Sequence, residues 1–487
     1  MLVVLRPYVV VQIVFWRTLG KRLRAKYRLE ETVAALPFAT ERRMARDGKS
    51  DLAKLSEQSG AERRSIGVHL HIFRDDDKQQ LSRALSALSK QSHRPVYIWI
   101  TQGDRASVKT SLDPRVQVLE GAFASRVEGL HAALIAASES ETEWLVPTLP
   151  TLALTRHGIA GFAANIDVIS GAEEVAILFG DQGEQSPWWS PARFWLKPKF
   201  DCRMFLSQDY VTDACAIHVE RALSAWPANR QHPFASLYEL ALSLCERFEA
   251  LHLNRVVVET PPGHWQNVDQ DHLTAVERFL GDRAEVERGP FGSVHVRWAV
   301  PRPHPSVSVI GATRDRVELL RTCVEGVLNA TDYPALDLII ADNESVEPET
   351  LAYLEQVCED PRVEVVRWPH PFNYSAINNF AAARAKGEFL CLLNNDIEII
   401  EPNWLTEMVR EACQQDVGAG GARLLYPDHS VQHAGVAIGI GNAAGHAHRG
   451  LAEGEPGYYA QALIARGASA VTGACLLAAK EHFDKIG

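Results

Sequence analysis

Three short polar clusters in this 487-residue chain could do chemistry together. The most telling is Asn394-Asn395-Asp396, which ends an apolar run at 389–393. A carboxylate flanked by amides suits a divalent cation that bridges the oxygens of a diphosphate, since Mg2+-like ions take few protein carboxylates and complete their shell with phosphates and water. The second cluster is Asp342-Asn343-Glu344-Ser345, whose carboxylate can accept from a base N–H or a ribose hydroxyl. Thr313-Arg314-Asp315 is the third, where a hydroxyl, a guanidinium and the start of an expected helix can receive a nucleotide's polar atoms. Farther on, residues 372–384 gather amides and hydroxyls, Asn378 and Asn379 among them, in the first turns of another expected helix. Each cluster taken singly also suits ordinary turn or N-cap chemistry.

The elements that carry these clusters give them a common address. Residues 389–393 are too continuously apolar for a half-exposed strand and read as a strand buried on both faces, the kind found in parallel sheets. Residues 307–313 and 338–342 are likewise apolar runs with polar ends. Open α/β sheets bind ligands beyond the carboxyl ends of their strands, so the polar ends form one site by position.

The same plan occurs twice. Val68-His-Leu-His-Ile-Phe-Arg74-Asp75 precedes a helical segment with Leu81, Leu85 and Leu88, and then a strand over 96–101. Val307-Ser-Val-Ile-Gly-Ala-Thr-Arg314-Asp315 precedes Leu319, Leu320, Cys323 and Val327, and then a strand over 338–341. Val211-Thr-Asp-Ala-Cys215 recurs as Val471-Thr-Gly-Ala-Cys475, which is expected to be a strand. Strand–helix–strand runs imply parallel strands with right-handed crossovers. The copies differ in chemistry. Gln102 stands where the second has Asp342, and no Asp or Glu occurs from Trp144 through Ile166. The first copy is therefore expected to keep the fold and to lack the catalytic site. The boundaries implied are an apolar and basic helical segment at 1–62, a first α/β domain at 63–266, a helix, strand and Pro-rich connector at 267–303, and a second domain at 304–487.

Composition narrows the class. A net charge of −11 argues against a general nucleic-acid binder. Eight cysteines without a CxxC pair look like reduced residues of a cytosolic protein. Residues 2–16 are apolar but short for a bilayer span, and Arg17, Lys21, Arg22, Arg24, Lys26 and Arg28 follow. That pairing suits either peripheral contact with an anionic membrane or a helix with a solvated basic face. His433, His446 and His448 make a poor structural-zinc pattern, which leaves a place beside an acceptor or in loop packing.

On these motifs the second copy resembles family 2 glycosyltransferases of the GT-A fold, closest to the bacterial branch that builds O-antigen and capsule. The residues that carry the likeness are 307–316, 338–345, 373–379 and 386–396, with Gln432-His433-Ala-Gly435, Gly445-His446-Ala-His448-Arg-Gly450 and Val471–Cys475. Ala312 stands where the family has Pro. The likeness implies two tandem α/β domains, each with a mostly parallel central sheet. It implies inverting transfer of a hexosyl or rhamnosyl-type sugar from a nucleotide-diphosphate sugar to a polysaccharide or lipid-linked acceptor. Asp396 would hold Mg2+ or Mn2+, and Asp342 the base or ribose. Thr313, Arg314, Asn343, Asn378, Asn394 and Asn395 would line the nucleotide sugar, while His433, His446, Thr472 and Gly473 would lie on the acceptor side. The family's carboxylate base is expected beyond Gly487, and in the first copy Leu237 takes its place. A non-catalytic nucleotide-sugar or glycan-binding scaffold is the alternative. A sugar-nucleotide pyrophosphorylase fits poorly, because the glycines that would wrap a triphosphate are missing.

Overall fold

A computed structural model describes residues 7–21, 25, 65–74, 78–105, 113–169, 174–185, 194–226, 234–262, 264, 270–439 and 443–486. Most of the basic cluster at 17–28 lies outside them. The apolar segment before it forms the helix Pro7–Thr18, and Val11, Val14 and Phe15 on it are exposed. No helix among the described residues is long and apolar enough to cross a membrane. The chain divides into two compact units. One comprises 1–282, 286–296 and 459–467, and the other 283–285, 297–458 and 468–487.

The first unit is built on β1 (Ile66–Arg74), β2 (Ile98–Arg105), β3 (Val116–Val118), β4 (Trp144–Thr148), β5 (Ala153–Leu154), β6 (Val175–Glu184), β7 (Phe194–Trp195), β8 (Cys215–His218) and β9 (Glu249–Thr260). They form one sheet in the order β3-β2-β1-β4-β8-β6-β9-β5, with β7 added to β6. Alternation along β1 is absent because both faces are covered: Ile66, Val68, Leu70 and Ile72 are buried, and so are His69 and His71. The two histidines meet the Thr101 hydroxyl at 2.7 and 2.9 Å, which supplies partners to groups that burial would otherwise orphan.

Next come β10 (Ala284–Arg288) and β11 (Val294–Trp298), which pair with each other. The second unit contributes β12 (Val307–Thr313), β13 (Leu336–Asp342), β14 (Val363–Arg367), β15 (Phe389–Leu393), β16 (Gly420–Gly421), β17 (Leu424–Leu425), β18 (Val431–His433), β19 (Val436–Ile438), β20 (Ala444–His446) and β21 (Cys475–Ala479). Its main sheet runs β14-β13-β12-β15-β21-β16, and the pairs β17–β18 and β19–β20 stand apart. All five residues of β15 are buried. The helix Val317–Asn329 turns Val317, Leu320, Val324 and Val327 to the core at helical spacing. Each such side chain contributes about 1.5–3 kcal/mol when fully buried.

The two main sheets share a plan. Read outward, β3-β2-β1-β4-β8-β6 and β14-β13-β12-β15-β21-β16 have three parallel steps followed by two antiparallel ones. Two expectations are corrected. The helix placed at Thr313 begins only at Val317, after two residues with positive φ, Asp315 (54°) and Arg316 (62°). The strand placed at 471–475 begins at Cys475, where the ladder to Leu393 starts. Residues 471–474 spend their hydrogen bonds elsewhere: Thr472 N–H donates to His433 Nε2 at 3.4 Å, and the Ala474 carbonyl accepts from Asn394 N–H at 3.0 Å. In the first unit, likewise, Thr212–Ala214 form a 3-10 turn ahead of β8.

Candidate active site

Adjacent strands β13, β12 and β15 end side by side, and hydrogen bonds tie their ends together. Asn343 N–H donates to the Thr313 carbonyl at 2.8 Å. From the other side, the Asn395 amide donates to the Thr313 hydroxyl at 3.0 Å. Thr313 is thus buried between the two neighbouring polar turns, a pin at the centre of the edge. Asp342 is 2% exposed; its Oδ1 accepts from Ser345 N–H at 2.9 Å, and Oδ2 lies 3.8 Å from Arg367 Nε at the end of β14. Sequence reasoning missed Arg367, although it occupies the last position of a short Val-rich strand, the same signal that marked Asp342.

Asp315 closes the turn after β12. Its Oδ1 accepts from the N–H groups of Val346 and Glu347 at 2.8 and 2.9 Å, and its own N–H donates to the Ser345 hydroxyl at 2.8 Å. The backbone N–H groups of Glu347 and Val346 hold its carboxyl below the usual range. These bonds stabilise a left-handed backbone that Asp tolerates better than most residues. The cluster read as a nucleotide-receiving helix start is therefore in part a loop clamp, with Arg314 left exposed beside it.

Asn343 and Asn378 are committed locally. The Asn343 amide donates to the carbonyls of His370 and Trp368 at 2.8 and 3.2 Å, while its buried Oδ1 has no hydrogen-bond partner among the described residues. Asn378 is buried in the helix Tyr374–Ala382 and donates to the Tyr374 carbonyl at 2.8 Å. Asn373 caps that helix by accepting from Ala376 N–H at 3.0 Å. Tyr374 then reaches across to donate to the Gly473 carbonyl at 2.7 Å, which fixes the 471–474 segment beside the edge. A Cβ at Gly473 would fall 2.5 Å from the Tyr374 hydroxyl, so glycine is what permits this approach.

Asp396 stands apart from this lattice. It is exposed, and its carboxylate makes no hydrogen bond or ion pair among the described residues. Asn394 N–H and Asn395 are tied down, so the turn is rigid while the carboxylate is left available. No group of three or more His, Cys, Asp and Glu that could hold a metal occurs among the described residues. The donor set fits an ion that takes one protein carboxylate and draws the rest of its shell from a diphosphate and water.

Thr472 and Gly473 border the edge, whereas the histidines lie in the β18–β20 hairpin region. His433 is 1% exposed, and its Nε2 accepts from Gly435 and Thr472 N–H groups, which leaves the proton on Nδ1, 3.3 Å from His446 Nδ1. The rings meet edge to face at 78°.

Residues 308–452 match the profile of glycosyl transferase family 2. The second unit carries a family 2 glycosyltransferase domain. O-antigen biosynthesis protein RfbC of Myxococcus xanthus is 34% identical over 328 residues, 64% of this chain and 26% of that protein. An uncharacterized protein, y4gI of Sinorhizobium fredii, is 43% identical over 220 residues, 45% of this chain and 24% of its own. The chain thus spans about a quarter of the length of these relatives. Among solved structures, similarity extends to a mannosyltransferase of Pyrobaculum calidifontis in complex with GDP-Man and Mn2+, with 20% identity, 31% of this chain and 41% of that one, and a TM-score of 0.24. S. aureus TarS 1–349 is similar at 11% identity, 45% of this chain and 66% of that one, and a TM-score of 0.32. In the glycosyltransferase domain, the matched segment takes in Thr313, Asp342, Asn394, Asn395 and Asp396.

Proposed function

We propose that the glycosyltransferase domain transfers a sugar from a nucleotide-diphosphate sugar to a glycan or lipid-linked acceptor in surface-polysaccharide synthesis, with inversion at the transferred carbon. The observation that carries this is the carboxylate of Asp396, which makes no hydrogen bond or ion pair among the described residues, on a turn held by the Asn394 N–H and the Asn395 amide. Asp342 and Arg367 would meet the base or ribose at the far side of the edge, with Thr313 holding the two turns in register. Arg314, exposed at the mouth, would approach the phosphates. A Mg2+ or Mn2+ ion on Asp396 would supply charge stabilisation to the departing diphosphate, the term that weighs most in such a transfer. Thr472 and Gly473, held by His433 and Tyr374, would border the acceptor. The first unit has only Pro, Thr and Leu where this turn would lie, at 147–152, and is taken as non-catalytic.

The test is Asp396→Ala in the full-length protein. Metal-dependent turnover of the sugar donor is expected to fall below detection while the unfolding midpoint stays unchanged. Undiminished turnover would remove the metal role from Asp396.

A further inference from the structure

The first unit lacks a carboxylate at the end of β4, yet its sheet edge is crowded with charge. Arg126 opens the helix Arg126–Glu139 and donates through Nη2 to the Pro147 carbonyl at 3.3 Å, at the carboxyl end of β4. Asp181 and Gln182 lie near the carboxyl end of β6, Asp213 just before antiparallel β8, and His264 just after β9, which runs parallel to β6. Lys197 follows β7 and is 5% exposed, with its ammonium 5.6 Å from the centre of the Trp195 ring. All therefore gather at one edge, where open α/β sheets take ligands.

The hydrogen-bond account of this edge does not close. Asp181 accepts from His252 Nε2 and Lys197 N–H, both at 2.8 Å. Asp213 accepts from His264 Nε2 at 2.8 Å and from Gln182 at 3.4 Å. Asp209 accepts from Val211 and Thr212 N–H groups. By contrast, Lys197 Nζ, Arg126 Nε and Trp195 Nε1 are shielded from solvent and have no hydrogen-bond partner among the described residues. Buried donors without acceptors are costly, and charged ones most of all.

The missing partner must supply acceptors without adding much charge. The carboxylates of Asp181, Asp209 and Asp213 balance Lys197, Arg126 and His264, whose hydrogen bond to Asp213 favours its protonated form, so a phosphate would meet three like charges. A metal ion would meet the cations of Lys197 and Arg126. A neutral polyol fits both demands: its oxygens accept, its hydroxyls donate, and the Trp195 N–H, a donor of the kind that usually finds a partner when buried, is one more group for its oxygens to satisfy. Asp213 and His264 keep 25% and 30% of their side chains exposed, which gives the edge an opening. Burial pulls Lys197 down to about 8, and although burial pushes Asp213 up, His264, Arg126 and Lys197 outweigh it and leave Asp213 at about 2.

We propose that the carboxyl edge of the first unit's sheet is a saccharide site, in which Lys197, Arg126 and the Trp195 indole donate to sugar oxygens and Asp213 accepts from a sugar hydroxyl. The site is independent of any role of Asp396.

The experiment uses the full chain carrying Asp396→Ala, in EDTA, to separate this site from the second unit. Saturation-transfer NMR and calorimetry are run with neutral hexoses, 6-deoxyhexoses, N-acetylhexosamines and their disaccharides, and with phosphate and pyrophosphate in parallel. At least one neutral sugar is expected to bind, and to bind about tenfold or more weakly when Lys197→Met or Asp213→Asn removes a charged partner. Trp195→Phe, which keeps an aromatic ring but removes the indole N–H together with its five-membered ring, is expected to weaken binding to a smaller degree. Silence from every neutral sugar, binding of the anions alone, or equal binding by the Lys197→Met and Asp213→Asn chains overturns the proposal. So does binding to the wild-type chain that vanishes with Asp396→Ala, since the sugar would then sit on the second unit.

Discussion

At Thr313, one hydroxyl and one carbonyl hold two turns that the chain separates by some fifty residues. Replacing it by Val keeps the strand and deletes the acceptor of the Asn395 amide. We expect a loss of about 1 kcal/mol in stability and a drop in nucleoside diphosphate affinity, seen in denaturant titration and calorimetry. Affinity within about twofold of wild type would show that the bond is idle in binding. Thr313, Asp342 and Asp396 were legible in the sequence because each ends an apolar run, and a buried parallel strand announces its own end. Asp315 was only half legible. Its residue type suggested a helix start, whereas its carboxylate serves the loop after β13, a partner thirty residues away that no local pattern specifies.

Among elements, the helix Tyr374–Ala382 and the segment 471–474 are coupled by the Tyr374–Gly473 hydrogen bond. Tyr374→Phe should cost about 1 kcal/mol, and Gly473→Ala should cost more, because its Cβ would displace the ring as well as the bond. If Gly473→Ala unfolded at the same denaturant concentration as Tyr374→Phe, the close approach would not constrain the edge. Gly387 precedes β15 under a tighter limit: a Cβ there would lie 2.4 Å from the Ser308 backbone N. Gly387→Ala is expected to destabilise by about 1–3 kcal/mol, the range of an overpacked core. Strands and helices with regular periodicity fell close to their expected bounds, β15 on every residue. The strand expected at 471–475 did not, since its β-prone residues are recruited by His433 and Asn394 rather than by a neighbouring strand.

For the molecule as a whole, one sheet plan has been built with two chemistries. The second unit leaves a lone carboxylate available at its edge, while the first encloses a lysine. Lys197, pulled by burial from 10.5 to about 8, makes stability depend on pH. Below pH 8 the folded and unfolded chains both carry its proton, and the folded state bears the burial cost. Between about 8 and 10.5 only the unfolded chain holds the proton, so stability should rise with pH. The contribution is on the order of 3 kcal/mol. Cys215, pushed up to about 12 by burial, acts in the opposite sense over part of that range, so the difference between wild type and Lys197→Met is the quantity to measure. An identical pH profile in both chains would show that Lys197 is not buried in solution.

The amino-acid sequence by itself determined that this is an α/β protein, that a plan recurs in it, and that polar residues stand at the ends of buried strands. Those features are written locally, in apolar runs and in what interrupts them. Only the tertiary structure decided which polar groups are consumed by neighbours and which are left available. That distinction separates Asp396 from Asp315, and the fold brings Lys197, Arg126 and Asp213 to one edge from distant parts of the chain. Hydrogen bonding is settled in pairs, and the partner of a buried polar group is fixed by how strands lie beside one another, which no single stretch of sequence contains.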